Sequence, residues 1–129
     1  MNPKLETLLT KYPKIFQGLR YGFECSDGWY DLIDTLCNCI QSYVDHATPP
    51  LEIPTDILQV VAIQVKEKFG GLRFYHHGGD THTDGMITFA EYMSYHICDV
   101  CGNKGESNTD GWIATRCNEH QPKEINHAS

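Results

Sequence analysis

No stretch of this sequence is apolar for long enough to cross a bilayer, no region carries a surplus of basic residues, and no segment repeats. The opening MNPKLETLLTKYPKIF is broken by charges and prolines and lacks the unbroken apolar core of a secretory signal, which predicts a cytoplasmic protein with no membrane partner. In a reducing compartment six cysteines are better read as metal ligands or packed thiols than as a disulfide framework. The net charge of −7 weighs against a sequence-independent grip on nucleic acid, which depends on cations neutralising phosphates. Low-complexity segments are also missing. With 40% hydrophobic residues, two Trp, seven Tyr and five Phe, the 129-residue chain has the composition of a folded domain.

A chain of this length holds one main domain and at most a small appended module. Residues 1–97 read as an α+β domain of helix, helix, β-hairpin and helix, and residues 98–129 as a zinc finger packed against it. Leu5, Leu8 and Leu9 have helical spacing over Asn2 to Lys11, with Pro13 just beyond. Trp29, Leu32, Ile33, Leu36, Ile40, Tyr43 and Val44 fall on one helical face, with Ser26 or Asp27 placed to cap it. Three prolines between Pro49 and Pro54 predict a stiff connector. Val61, Ile63 and Val65 then alternate with Ala62, Gln64 and Lys66, Gly70 and Gly71 interrupt, and Leu72 and Phe74 resume. This predicts an antiparallel hairpin, with the glycines supplying positive φ in the turn. After a polar loop, Asp84 is placed to cap a helix with the face Met86, Ile87, Ala90, Met93 and Ile97.

The strongest chemical pattern follows: CDVCG, a fifteen-residue gap, then CNEH. Cys98 and Cys101 can reach one ion if the backbone turns sharply behind them, and Gly102 permits such a turn. The gap is turn-rich and ends in Trp112, Ile113 and Ala114, enough for a short hairpin leading back to the ion. Cys117 and His120, three apart, share a face in the first turn of a helix, where the helix dipole favours a thiolate. Three thiolates and one imidazole close a tetrahedral shell with no position for water, so the spacing predicts one structural Zn²⁺ per chain. Knuckle, hairpin and helix N-terminus together resemble the treble-clef zinc fingers. RCNEH resembles the second ligand pair of GATA-type fingers, with His120 in place of a cysteine.

Other residues invite weaker readings. Cys37 and Cys39, two apart on a predicted helix, point to different sides and read as small core residues, whereas Cys25 sits in a loop. His76, His77, Asp80 and His82 are candidates for a second metal site with open coordination. They do not map onto the His-Asn-His endonucleases, whose catalytic histidine lies in the clef hairpin, because GESNTDGWIATR contains no histidine. Lys66, Lys68, Arg73 and Tyr75 would meet on one face of the hairpin as a basic and aromatic partner-binding patch.

The blocks FECSDGWYDLI, QVKEKFGGLRFY, AEYMS running into CDVCG, and GWIATRCNEH resemble a group of small, uncharacterised proteins encoded by bacteriophages and prophages. The resemblance spans about Tyr21 to His120. It implies an accessory protein in the bacterial host cytoplasm, a non-enzymatic binder of a host, defence or phage protein. Two alternatives follow from the residues: a nucleic-acid-binding regulator using the finger with the Lys66 to Arg73 patch, and a metal-dependent hydrolase or nuclease built on the His76 to His82 loop.

Overall fold

The computed structural model describes residues 3–47, 53–108, 111 and 113–121; Asn2, Pro49 and Trp112, named above, lie outside them, as does most of the proline connector. Helix α1 spans Pro3–Lys11 and buries Leu5 and Leu8 completely. The short strand β1, Phe23–Glu24, follows within a segment that the sequence reads as loop. Next comes a 3-10 turn, Asp27–Trp29, which runs directly into α2, Tyr30–Asp45.

Neither Ser26 nor Asp27 caps this helical run through its side chain. Asp27 instead reaches α1, where its carboxylate accepts from the backbone N–H groups of Lys4 (3.4 Å) and Leu5 (3.1 Å). Those are first-turn donors with no partner inside their own helix, and a carboxylate also suits the positive end of the helix dipole. The apolar face of α2 lies as the spacing predicts: Ile33, Leu36, Ile40 and Val44 are buried, Leu32 and Tyr43 half-buried. Cys37 is a fully buried core residue, but Cys39 is exposed, which corrects the core reading for that thiol. Two residues are about 200° apart on a helix, so a one-sided core cannot hold both.

A single helical turn, α3, Thr55–Leu58, starts immediately after Pro54 and buries Leu58. Strands β2, Val61–Lys68, and β3, Gly71–His77, form the predicted antiparallel hairpin, while β1 joins β2 in parallel. The main sheet is therefore mixed, in the order β1-β2-β3. The expected alternation on β2 fails at one point. Ala62 pairs with His76 and Gln64 with Tyr75, leaving Ile63 as the extra residue of a β-bulge. Ala62 and Val65 thus face the core, and Ile63 is left exposed. The turn consists of Phe69 (φ 53°) and Gly70 (φ 85°) rather than of two glycines. Gly71 opens β3 and leaves room for the Tyr95 ring, which a Cβ there would strike.

Helix α4, Thr81–Met93, starts earlier than its sequence pattern suggests. Asp80, not Asp84, is the cap: its carboxylate accepts from the N–H groups of His82 (2.9 Å) and Thr83 (3.1 Å), and Thr83 Oγ1 accepts from Asp80 N–H (2.8 Å). Ile87 and Ala90 are buried, with Met86, Met93 and Ile97 half-buried. The helix also closes the edge of β3. Leu72 N–H donates to Ser94 Oγ and Phe74 N–H to Glu91 Oε2, each at 2.9 Å, which satisfies these two edge donors and covers this part of the strand. The core joins Ala62, Val65, Leu72 and Phe74 of the sheet to the buried faces of α1, α2 and α4, with Trp29 fully enclosed among them. Each such large side chain contributes about 2 kcal/mol by leaving water. No helix among the described residues is long and apolar enough to cross a membrane.

Candidate metal centre

A 3-10 turn, Ser94–His96, carries the chain from α4 towards Cys98. Ile97 bridges Lys104 in antiparallel fashion, and between them the backbone folds back on itself: Cys98 N–H donates to Asn103 O (2.7 Å), and Gly102 N–H donates to Cys98 O (2.9 Å). Gly102 holds φ 86°, as the tight return requires. The next pair of strands, β4, Glu106–Ser107, and β5, Thr115–Arg116, leads to Cys117. His120 closes a 3-10 turn, Asn118–His120, where the sequence predicts the first turn of a helix.

These elements bring together the four residues that the spacing selects. The ligand atoms of Cys98, Cys101, Cys117 and His120 all lie within 4.8 Å of one another. Cys101 Sγ is 3.7 Å from Cys117 Sγ, and His120 Nδ1 is 3.6 Å from Cys98 Sγ and 3.2 Å from Cys117 Sγ. The group can hold a metal ion. Its electrostatics suit a cation as well. Burial pushes the Cys98 thiol up, but the N–H groups of Cys117, Cys101 and Val100, with the Cys101 thiol, more than offset this and bring it down to about 6. Cys101 is lowered by the Asn103 N–H, yet desolvation and the sulfurs of Cys98 and Cys117 raise it further, for a net upward shift. One thiolate forms readily, and its charge then holds the next proton in place until a cation displaces it. The other buried thiols behave oppositely: desolvation pushes Cys25 up to about 12 and raises Cys37 as well, so both stay protonated at neutral pH.

The ligand segment is bonded to the helical body through backbone contacts that the sequence reading did not single out. Trp29 Nε1 donates to Ile97 O (2.9 Å), one residue before the first ligand, and Gly28 N–H donates to Asp99 O (3.0 Å). A Cβ at Gly28 would collide with the carbonyls of Cys98 and Asp99. From the other side, Thr115 Oγ1 donates to Gly70 O at the hairpin turn (2.6 Å). Within the segment, buried Asp99 accepts from Arg116 Nε (2.9 Å), and Asp99 N–H donates to Thr115 O (3.0 Å). The signal available in the sequence was an acid and a base next to opposite ligands, Asp99 after Cys98 and Arg116 before Cys117.

The second candidate cluster does not assemble. Among the described residues, Cys98, Cys101, Cys117 and His120 form the one group of three or more metal-type ligands. Asp80 is committed to capping α4 and accepts a 2.6 Å hydrogen bond from Tyr43 Oη, which also lies 3.1 Å from His82 Nδ1. His76 Nε2 pairs with Asp84 Oδ1 at 3.3 Å. His76 and His77, adjacent on β3, point to opposite faces of the sheet.

The hairpin patch is in part exposed. Lys66 pairs with Arg73 and Gln64 with Tyr75, so these side chains share the face turned away from the core. Lys68 and Tyr75 are exposed, Lys66 and Arg73 half-buried. Arg73 Nη1 is held by Tyr95 Oη (3.1 Å) and Leu72 O (3.2 Å) rather than by a carboxylate.

No family model matches this chain, and no curated protein or solved structure does either.

Proposed function

We propose that the protein is a non-enzymatic, zinc-ordered binding protein, in which the ion fixes the C-terminal segment against the helix and hairpin body and so completes a surface for a protein partner. The observation that carries this reading is the ligand geometry. Zinc bonds of about 2.3 Å to sulfur and about 2.0 Å to nitrogen space tetrahedral ligands about 3.5 to 3.8 Å apart. The sulfur–sulfur contact of 3.7 Å and the Cys98–His120 contact of 3.6 Å fall in that range, and the Cys117–His120 contact of 3.2 Å is a few tenths of an ångström short of it, a small rotation of the imidazole away. Four protein ligands leave no place for a reacting water, which suits a structural role. The tight return at Cys98, the β4–β5 pair and the turn at Cys117 support a treble-clef-like module. Residence in the cytoplasm of a phage-infected bacterium, with a host or phage protein as partner, rests on the sequence blocks alone.

Elemental analysis of tag-free protein, combined with capture of partners from host lysate, tests the reading. One zinc per chain is expected, with a specific protein recovered by wild type and not by Cys117→Ser. A second tightly bound metal together with robust hydrolytic turnover would replace the binder with an enzyme.

A further inference from the structure

The tip of the β2–β3 hairpin combines features that the fold alone does not require. Phe69 occupies the left-handed region at φ 53°, a conformation costly for an aromatic residue, and is 65% exposed. A two-residue turn with positive φ at both positions ordinarily takes Asn-Gly or Gly-Gly. Here a large apolar ring is held out in solvent instead. It borders a cleft of about 320 Å³ lined by Glu67, Lys68, Phe69, Gly111 and Ile113. That volume is at the small end of binding pockets and suits one large side chain. Ile113 is itself exposed and lies four residues before the ligand Cys117. One wall of the cleft therefore belongs to the segment that the metal site anchors.

Charge adds direction. In a chain of net charge −7, neither Lys66 nor Lys68 makes an ion pair among the described residues, although Glu24 pairs with Lys66 across the β1–β2 ladder. Lys68 Nζ lies 5.8 Å from the centre of the Phe69 ring, joining the basic face to the cleft. Lys68 at the cleft and Lys66 two residues along the same face of β2, neither in an ion pair among the described residues, complement an anionic partner with an apolar anchor. The rest of the chain is acidic, and a polyphosphate strand needs a continuous basic track, which Glu24 interrupts beside Lys66; this favours a peptide over nucleic acid.

Resting on the partner-binding reading above, we propose that the hairpin tip docks an acidic segment of a partner protein, with one large apolar side chain entering the Phe69–Ile113 cleft and carboxylates meeting Lys66 and Lys68. The test selects random dodecapeptides on the zinc-loaded full chain and measures the Kd of labelled winners by fluorescence anisotropy. Enriched peptides should pair Asp or Glu with one large apolar residue, and Phe69→Asn and Lys68→Glu should each weaken them by about tenfold or more. Phe69→Asn installs the favoured turn residue, so its Tm should stay level or rise while binding falls. Winners without acidic character, or an affinity that neither variant changes, would overturn the proposal. So would tight binding of labelled oligo-dT that Lys68→Glu abolishes. If both variants still recover the lysate partner as wild type does, this surface is wrong and the binder reading stands.

Discussion

The body of the molecule and its C-terminal segment are held by different physics. From Leu5 to Ala90 a continuous cluster buries Trp29, five leucines, four isoleucines and three valines. Between Cys98 and Gln121 the buried residues among those described are Cys98, Asp99, Gly105, Ala114 and Thr115. An apolar core of that kind stabilises a fold by removing surface from water, whereas the second region has almost none to remove. It has instead four convergent metal-type side chains and hydrogen bonds to the Gly28 N–H, the Trp29 indole and the Gly70 carbonyl. A segment too short for its own core can be ordered by coordination and by a ready-made surface to sit on.

Metal removal should separate the two regions most sharply. Structural zinc contributes roughly 10 kcal/mol or more to a small module, far above what the few buried groups here supply. Chelation, or Cys117→Ser, should abolish hydrogen-exchange protection at the Cys98 and Gly102 amides and leave the α2 amides protected. Equal loss in both regions would mean that the body depends on the ion too.

The seam is the next place to break. Gly28→Ala drives a methyl group into the backbone at Cys98 and Asp99, and overpacking against main chain costs about 3 kcal/mol. A fall in urea midpoint accompanied by weaker zinc affinity is expected, since the same collision displaces the first ligand. A variant that lost stability with unchanged zinc affinity would show that the two regions are not coupled through this contact.

The smallest effect lies in the body, between α1 and α2. Asp34 accepts from Tyr12 Oη (2.6 Å) and pairs with Lys11 (2.9 Å). The Tyr12 hydrogen bond is the main cause holding its carboxyl below the usual range. A lowered folded pKa makes the contribution fully present above the unfolded carboxylate value near 4 and lost as pH falls through the folded one. Asp34→Asn should therefore cost about 1 kcal/mol at neutral pH, measured by denaturant unfolding, with the difference from wild type vanishing in acid. A difference constant down to pH 2 would show that lost packing, not charge, is responsible.

Much of this was legible in one dimension because the relevant chemistry is local. Cys98 and Cys101, and likewise Cys117 and His120, are each separated by a short turn whose geometry follows from spacing, and that spacing is the one a metal-ligand pair needs. The buried faces of α1 and α2 follow from a 3.6-residue period that the core simply accepts. Other features depend on residues far apart in the chain. Asp27 has the sequence position of a cap for α2 but caps α1, because α1 packs beside that turn. The bulge at Ile63 is set by pairing with β3 and by β1 joining alongside, and neither is visible in the alternation of β2 itself. Gly71 answers to Tyr95, more than twenty residues away.

The sequence by itself determined the helical faces, the hairpin and the two Cys/His pairs able to ligate a metal, since each is a periodicity or a spacing within reach of the local backbone. Only the tertiary structure decided which edge each helix covers, where Asp27 and Asp80 direct their carboxylates, and that an exposed Phe69 stands beside Lys68. Those outcomes depend on which surfaces remain after the core has closed, a property of the packed chain as a whole.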